Sequence, residues 1–135
     1  MKDKLLETIN KSMEYTLSVA ETMPEERYTS RLTTANWNFA EMLNHIAYGV
    51  RWWQETMIEG KQTEWSPPAT KNSKQEIITM LKTVFTALSS TVSAMTINDD
   101  VIYGCFATLD HVTHHRGQTI LFLRNQGLTP PDYVF

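Results

Sequence analysis

The placement of helix breakers constrains this chain more than any other feature. All five prolines and two of the five glycines sit at the edges of four long stretches. Pro24 closes the first stretch. Gly60, Pro67 and Pro68 bracket the middle. Gly127, Pro130 and Pro131 close the last. Long segments free of prolines, with apolar residues every three or four positions, read as amphipathic helices. The pattern predicts helices over about 2–22, 38–59, 74–95 and 100–126. In the first, Leu5, Ile9, Met13 and Leu17 form the apolar stripe; in the third, Ile77, Leu81, Phe85 and Leu88 do. Asn38 with Glu41 and Ser73 with Glu76 have capping-box spacing, and Asn98 or Asp99 would cap the last helix. Trp37 is placed to pack on Met42 as a hydrophobic staple.

No alternating strand pattern or Asn-Gly hairpin competes, so the expected fold class is all-α, a four-helix bundle forming a single domain over 1–135. The 60–72 linker could span about 40 Å when extended. It therefore permits an up-down-down-up order with a long crossover between helices 2 and 3, although an up-down-up-down order would need less chain. The segments 24–36 and 128–135 read as non-helical.

Hydrophobic residues at 41% are enough for a core, and charged residues make up 20%. The formal net charge of -3 and the lack of a basic block argue against a nucleic-acid partner. One cysteine, Cys105, excludes an intramolecular disulfide framework. No apolar run approaches the roughly 20 residues of a membrane span, and the start, Met1-Lys2-Asp3-Lys4, does not read as a signal peptide. The expected setting is cytoplasmic, without a membrane partner.

The histidines carry the chemistry. Three of the four lie in Asp110-His111-Val112-Thr113-His114-His115-Arg116-Gly117-Gln118. At about 100° per residue, His111 and His115 are about 40° apart and one turn apart in height. That spacing lets two imidazoles converge on one metal ion, as in helical His-x-x-x-His zinc sites. His111 with His114 is the second-ranked pair. Gly104 and Ala107 below the pair are small enough to leave room for a ligand or for close helix packing. Gln118 and Phe122 continue the same face above it. His45 shares its side of helix 2 with Glu41, Met42, Tyr48, Gly49 and Trp52, so it should point inward. An inward histidine is more often a hydrogen-bonded core residue than a ligand, and spacing alone does not decide between them.

The string His111-x-x-x-His115-Arg116-Gly117-Gln118, followed by Leu123-Arg124-Asn125-Gln126-Gly127 and Pro130-Pro131, resembles the DinB/YfiT-like superfamily of four-helix-bundle metalloenzymes. Leu43-Asn44-His45-Ile46, just after Trp37, adds to the resemblance. It implies an up-down-down-up bundle and a divalent metal, nickel or zinc, held by His45, His111 and His115. It also implies a homodimer, and for some members transfer of a low-molecular-weight thiol to a small-molecule substrate. The chain departs from the family in the brevity of its turn between helices 3 and 4.

Three neutral imidazoles would leave coordination positions open, the mark of a catalytic site. A divalent ion there could hold a thiolate against an electrophilic carbon, which fits a thiol-S-transferase-like reaction, or could activate water in a hydrolase. A non-catalytic metal- or ligand-binding bundle shares the same histidines. Glu41 and Gln118 are the candidate catalytic or orienting groups, although Glu41 is better explained by its capping box. Tyr48, Trp52 and Phe122 are candidate substrate contacts, and each is equally explained by core packing. Arg116, about 140° from His111, should pair with a carboxylate on helix 1 or 3 or face solvent. Gly117 should mark a close helix contact. Cys105, about 120° off the pair, is no candidate.

Overall fold

The computed structural model describes residues 1–32 and 37–133. Four long helices are present: α1 (Lys2–Thr22), α2 (Phe39–Trp53), α3 (Lys74–Ala94) and α4 (Asp99–Asn125). A π turn, Gln54–Ile58, extends α2, and a short 3₁₀ turn, Glu25–Arg27, follows α1. The breakers act as the sequence indicates. Gly60 and Gly127 adopt φ of 71° and 72°, the left-handed conformation that glycine tolerates at a helix C-terminus.

The caps are specific. The Asn38 side chain accepts from the Glu41 amide, and the Glu41 carboxylate accepts from the Asn38 amide, both at 2.8 Å. Ser73 accepts from the Glu76 amide at the head of α3. Asn98 accepts from the Val101 amide at the head of α4.

Contacts along the helices fix their directions. Lys2 of α1 reaches the Ser93 carbonyl near the end of α3, while Lys74 at the start of α3 reaches the Glu21 and Met23 carbonyls. These two helices are antiparallel. Asn44 near the start of α2 is bonded to Lys71, just ahead of α3, and Gln54 to Thr91 near its end. Helices α2 and α3 are therefore parallel. Phe39 meets Phe122 at one end of the α2–α4 seam. At the other end, a side chain on Gly104 would strike Ile58. These two helices are antiparallel, and the order is up-down-down-up with 59–73 as the crossover.

Among the described residues, twenty-six buried apolar ones fill the core, each large one worth about 1.5–3 kcal/mol for leaving water. By length and composition α3 is apolar enough to cross a membrane, contrary to the sequence reading that no segment approaches this. In the structure it packs against α1 and α2, with Ile77, Ile78, Leu81, Phe85, Leu88 and Val92 buried. The buried face of α1 also departs from expectation. It includes Ser12 and Thr16, while Met13 and Leu17 are partly buried. The two hydroxyls lie inside because Arg116 of α4 reaches them.

Candidate metal centre

The antiparallel α2–α4 seam brings His45 opposite His111 and His115. Their Nε2 atoms converge: His45 lies 3.0 Å from His115 and 3.1 Å from His111. All three rings are half-buried, and one ligand atom from each falls within 4.8 Å of the others. Gly49, one turn beyond His45, makes this approach possible. A Cβ there would lie 2.2 Å from His111 Cε1, far inside van der Waals contact.

The protons explain why the cluster suits a cation. His115 Nδ1–H donates to Gln118 Oε1 at 2.8 Å, which leaves its Nε2 as a bare lone pair. A hydrogen on His45 Nε2 can serve one of its two neighbours well, so the other pair faces lone pair to lone pair or hydrogen to hydrogen. His111 Nδ1 is buried without any partner. A cation at the centre would satisfy all three Nε2 atoms, though not His111 Nδ1. Nitrogens about 2.0–2.1 Å from one ion, at angles between about 90° and 109°, stand about 2.8–3.4 Å apart, a range that includes both His45 distances. Burial pushes His45 and His111 down to about 4, with the neighbouring imidazoles adding to the effect. Burial also lowers His115. The rings are therefore neutral near pH 7, the form that ligates metal.

The chain belongs to the DinB family. Its family model matches residues 1–99, the part of the chain that contains His45. The crystal structure of a DinB-like protein from Bacillus cereus shares the fold, with a TM-score of 0.82 and 19% identity over 98% of this chain and 97% of that one. No protein of curated function matches. In this DinB chain the other two histidines of the cluster, His111 and His115, lie beyond the span matched by the family model.

Other residues singled out in the sequence take different places. Gln118 is bonded to a cluster imidazole. Glu41 is occupied by its capping box and by Arg31 at 3.2 Å. His114 is exposed and outside the converging group, 4.8 Å ring to ring from His115. Phe122 is buried against Phe39 in the core rather than lining a cavity. Tyr48 and Trp52 hold the crossover. The Tyr48 hydroxyl accepts from the Ser66 amide at 2.9 Å, and Trp52 Nε1–H donates to the Thr63 carbonyl at 2.8 Å.

Gly104 serves close helix packing, one of its two expected uses, because an added Cβ would meet Ile58 and the Met57 carbonyl of the π turn. Two readings need correction. Gly117 is not a helix contact; a Cβ there meets nothing within 4 Å. Arg116 pairs with no carboxylate among the described residues and does not face solvent: it is 4% exposed and bonded to Ser12 and Thr16. Cys105 is buried, which pushes its thiol up to about 11, and it takes no part in the site.

Two tryptophans complete the surroundings. The Trp37 ring packs at a tilt against His45, 4.5 Å between centroids, and lies 6.2 Å from His115. The Phe39 and Ala40 amides hold its neighbourhood by donating to the Ser30 and Tyr28 carbonyls. Trp65 on the crossover stands 5.4 Å from His45, braced by Tyr48 and Trp52. A cavity of about 400 Å³ opens beside His45 between α2, α3 and the crossover, with Trp37, Tyr48, Pro67, Pro68, Met80 and Val84 in its walls.

Proposed function

We propose that this DinB protein is a divalent-metal-dependent enzyme acting on small molecules, with thiol transfer to an electrophilic carbon as its favoured reaction. His45, His111 and His115 would hold the metal, nickel or zinc. The observation that carries the reading is the convergence of three neutral Nε2 donors on one point. When bound, the cation would supply a Lewis-acidic centre that lowers the pKa of a coordinated thiol or water.

The chain's own residues supply the rest. Gln118 fixes the His115 tautomer so that Nε2 faces inward. Trp37 and Trp65 cover the rings and limit water on that side. The cavity beside His45 has the size of a small-molecule site and mostly apolar walls. Thiol transfer is preferred over hydrolysis on the family resemblance, and in it the thiolate rather than the thiol is the attacking species. A homodimer in the cytoplasm belongs to the same proposal, and sedimentation of the purified protein tests the dimer.

The deciding experiment is metal analysis of untagged protein, followed by turnover assays with thiols and small electrophiles after nickel or zinc loading. About one ion per chain and a metal-dependent thiol-consuming rate are expected, both lost in His111→Ala. Metal near zero after reconstitution would remove the proposal. Metal at full stoichiometry with no thiol turnover would leave a binding protein rather than an enzyme.

A further inference from the structure

The histidine cluster leaves one buried charge unused. Arg116 follows His115 in sequence but leaves α4 on another face, toward α1. Its Nη1 donates to the Ser12 carbonyl, Ser12 Oγ and Thr16 Oγ1, each at 3.1 Å. The guanidinium carbon lies 4.9 Å from the Tyr15 ring centroid and 5.6 Å from that of Tyr133, whose hydroxyl is also a hydrogen-bond partner. All of these partners are neutral. Among the described residues no carboxylate forms an ion pair with it. A guanidinium keeps its proton in proteins, and burying it is costly unless the charge is compensated. Hydroxyls and ring faces offset part of that cost; a counter-anion would offset more.

Arg116 borders a cleft of about 510 Å³ between α1, α4 and the C-terminal tail. A second cation, Arg124, stands at its rim, and Ile120, Pro130 and Pro131 give it apolar walls. The tail is held over the cleft by Tyr15, whose hydroxyl donates to the Pro131 carbonyl at 3.0 Å and whose ring packs edge-on against Tyr133. Gly117 leaves its floor open. Among the described residues the lining has one carboxylate, Asp132, which is exposed and forms no ion pair with either arginine. We propose that this cleft binds a small organic anion, its carboxylate against Arg116 with Arg124 at the rim and its flat apolar body along Ile120, Pro131 and Tyr133. The site is separate from the histidine cluster and stands whether or not the cluster holds metal.

The test uses chelator-treated, ¹⁵N-labelled full-length protein titrated with sodium benzoate at constant ionic strength, with benzamide as the neutral control. Saturable shifts of the Thr113, Gly117 and Ile120 amides are expected, with a Kd of about 1 mM, and none with benzamide. A Cβ at Gly117 meets nothing within 4 Å, so Gly117→Leu should fill the cleft and abolish the shifts, with unchanged helical circular dichroism showing that the fold is kept. Arg124→Ser should weaken binding about threefold. Arg116→Gln also cuts the ties to Ser12 and Thr16, so it is read beside these two variants. Absence of saturation, equal binding of benzamide, or unchanged affinity in Gly117→Leu or Arg124→Ser would overturn the site.

Discussion

At the residue scale, the site depends on one missing side chain and one amide. Gly49→Ala places a methyl 2.2 Å from the His111 ring, so the ring must leave its position. The change suits an α-helix, where alanine is favoured over glycine by about 1 kcal/mol. Metal affinity is therefore expected to fall about 10–100-fold, the range seen when a ligand loses its support, while the metal-free melting temperature changes little, the helix gain offsetting the cost of moving the ring. Calorimetric zinc titration beside a melting curve separates the two effects; unchanged affinity would show that the His111 position is not critical. Gln118→Leu removes the acceptor for His115 Nδ1–H and should cost about 10–100-fold in affinity by freeing the tautomer. Unchanged zinc binding in that variant would rule out the orienting role. The His111–His115 pair was legible from its spacing, because a helix converts sequence separation into angle. The meeting with His45 was not, since it depends on which helices become neighbours. Nor were the tilted contacts of Trp37 and Trp65 with the histidine rings or the burial of Arg116, which depend on tertiary packing.

At the element scale, the crossover 59–73 closes one side of the cavity but has no regular structure of its own. Its anchors are side chains of α2: Asn44 bonds both the amide and the carbonyl of Lys71, and Tyr48 and Trp52 bond Ser66, Glu64 and Thr63. Asn44→Ala removes two of these bonds at a partly exposed position and should destabilise the fold by about 1–2 kcal/mol. It should also expose the crossover to proteolysis before the helices. Limited proteolysis with mass mapping checks this; first cleavage elsewhere at an unchanged rate would refute the anchoring. Helix positions were readable because proline and positive-φ glycine act locally, through backbone geometry. The π turn at Gln54–Ile58 was not readable. It arises where α2 meets α4 at Gly104, a tertiary contact, and Gln54 there is bonded to Glu59 and Thr91.

At the scale of the whole molecule, the up-down-down-up order puts α2 and α4 antiparallel and side by side, so folding itself assembles the three-histidine cluster. Binding at that cluster must then stabilise the fold. Zinc at 100 times its Kd adds about 2.7 kcal/mol, a rise of about 10 °C in melting temperature for a domain of this size. The same coupling sets a pH dependence in the metal-free chain. An unfolded imidazole titrates near 6.5, whereas folded His45 and His111 lie at about 4. Between those values the unfolded state binds more protons, so stability is complete above about pH 6.5 and declines as pH falls toward 4. Acid should also shrink the zinc-induced rise, because protons compete with the ion for the same nitrogens. Replacing His45 and His111 together with Gln removes both effects: the melting temperature should then vary less between pH 7 and pH 5, and zinc should no longer raise it. A wild-type chain whose metal-free melting temperature climbs on acidification, or whose zinc-induced rise survives undiminished at pH 5, would show that the three imidazoles do not share one buried, neutral cluster.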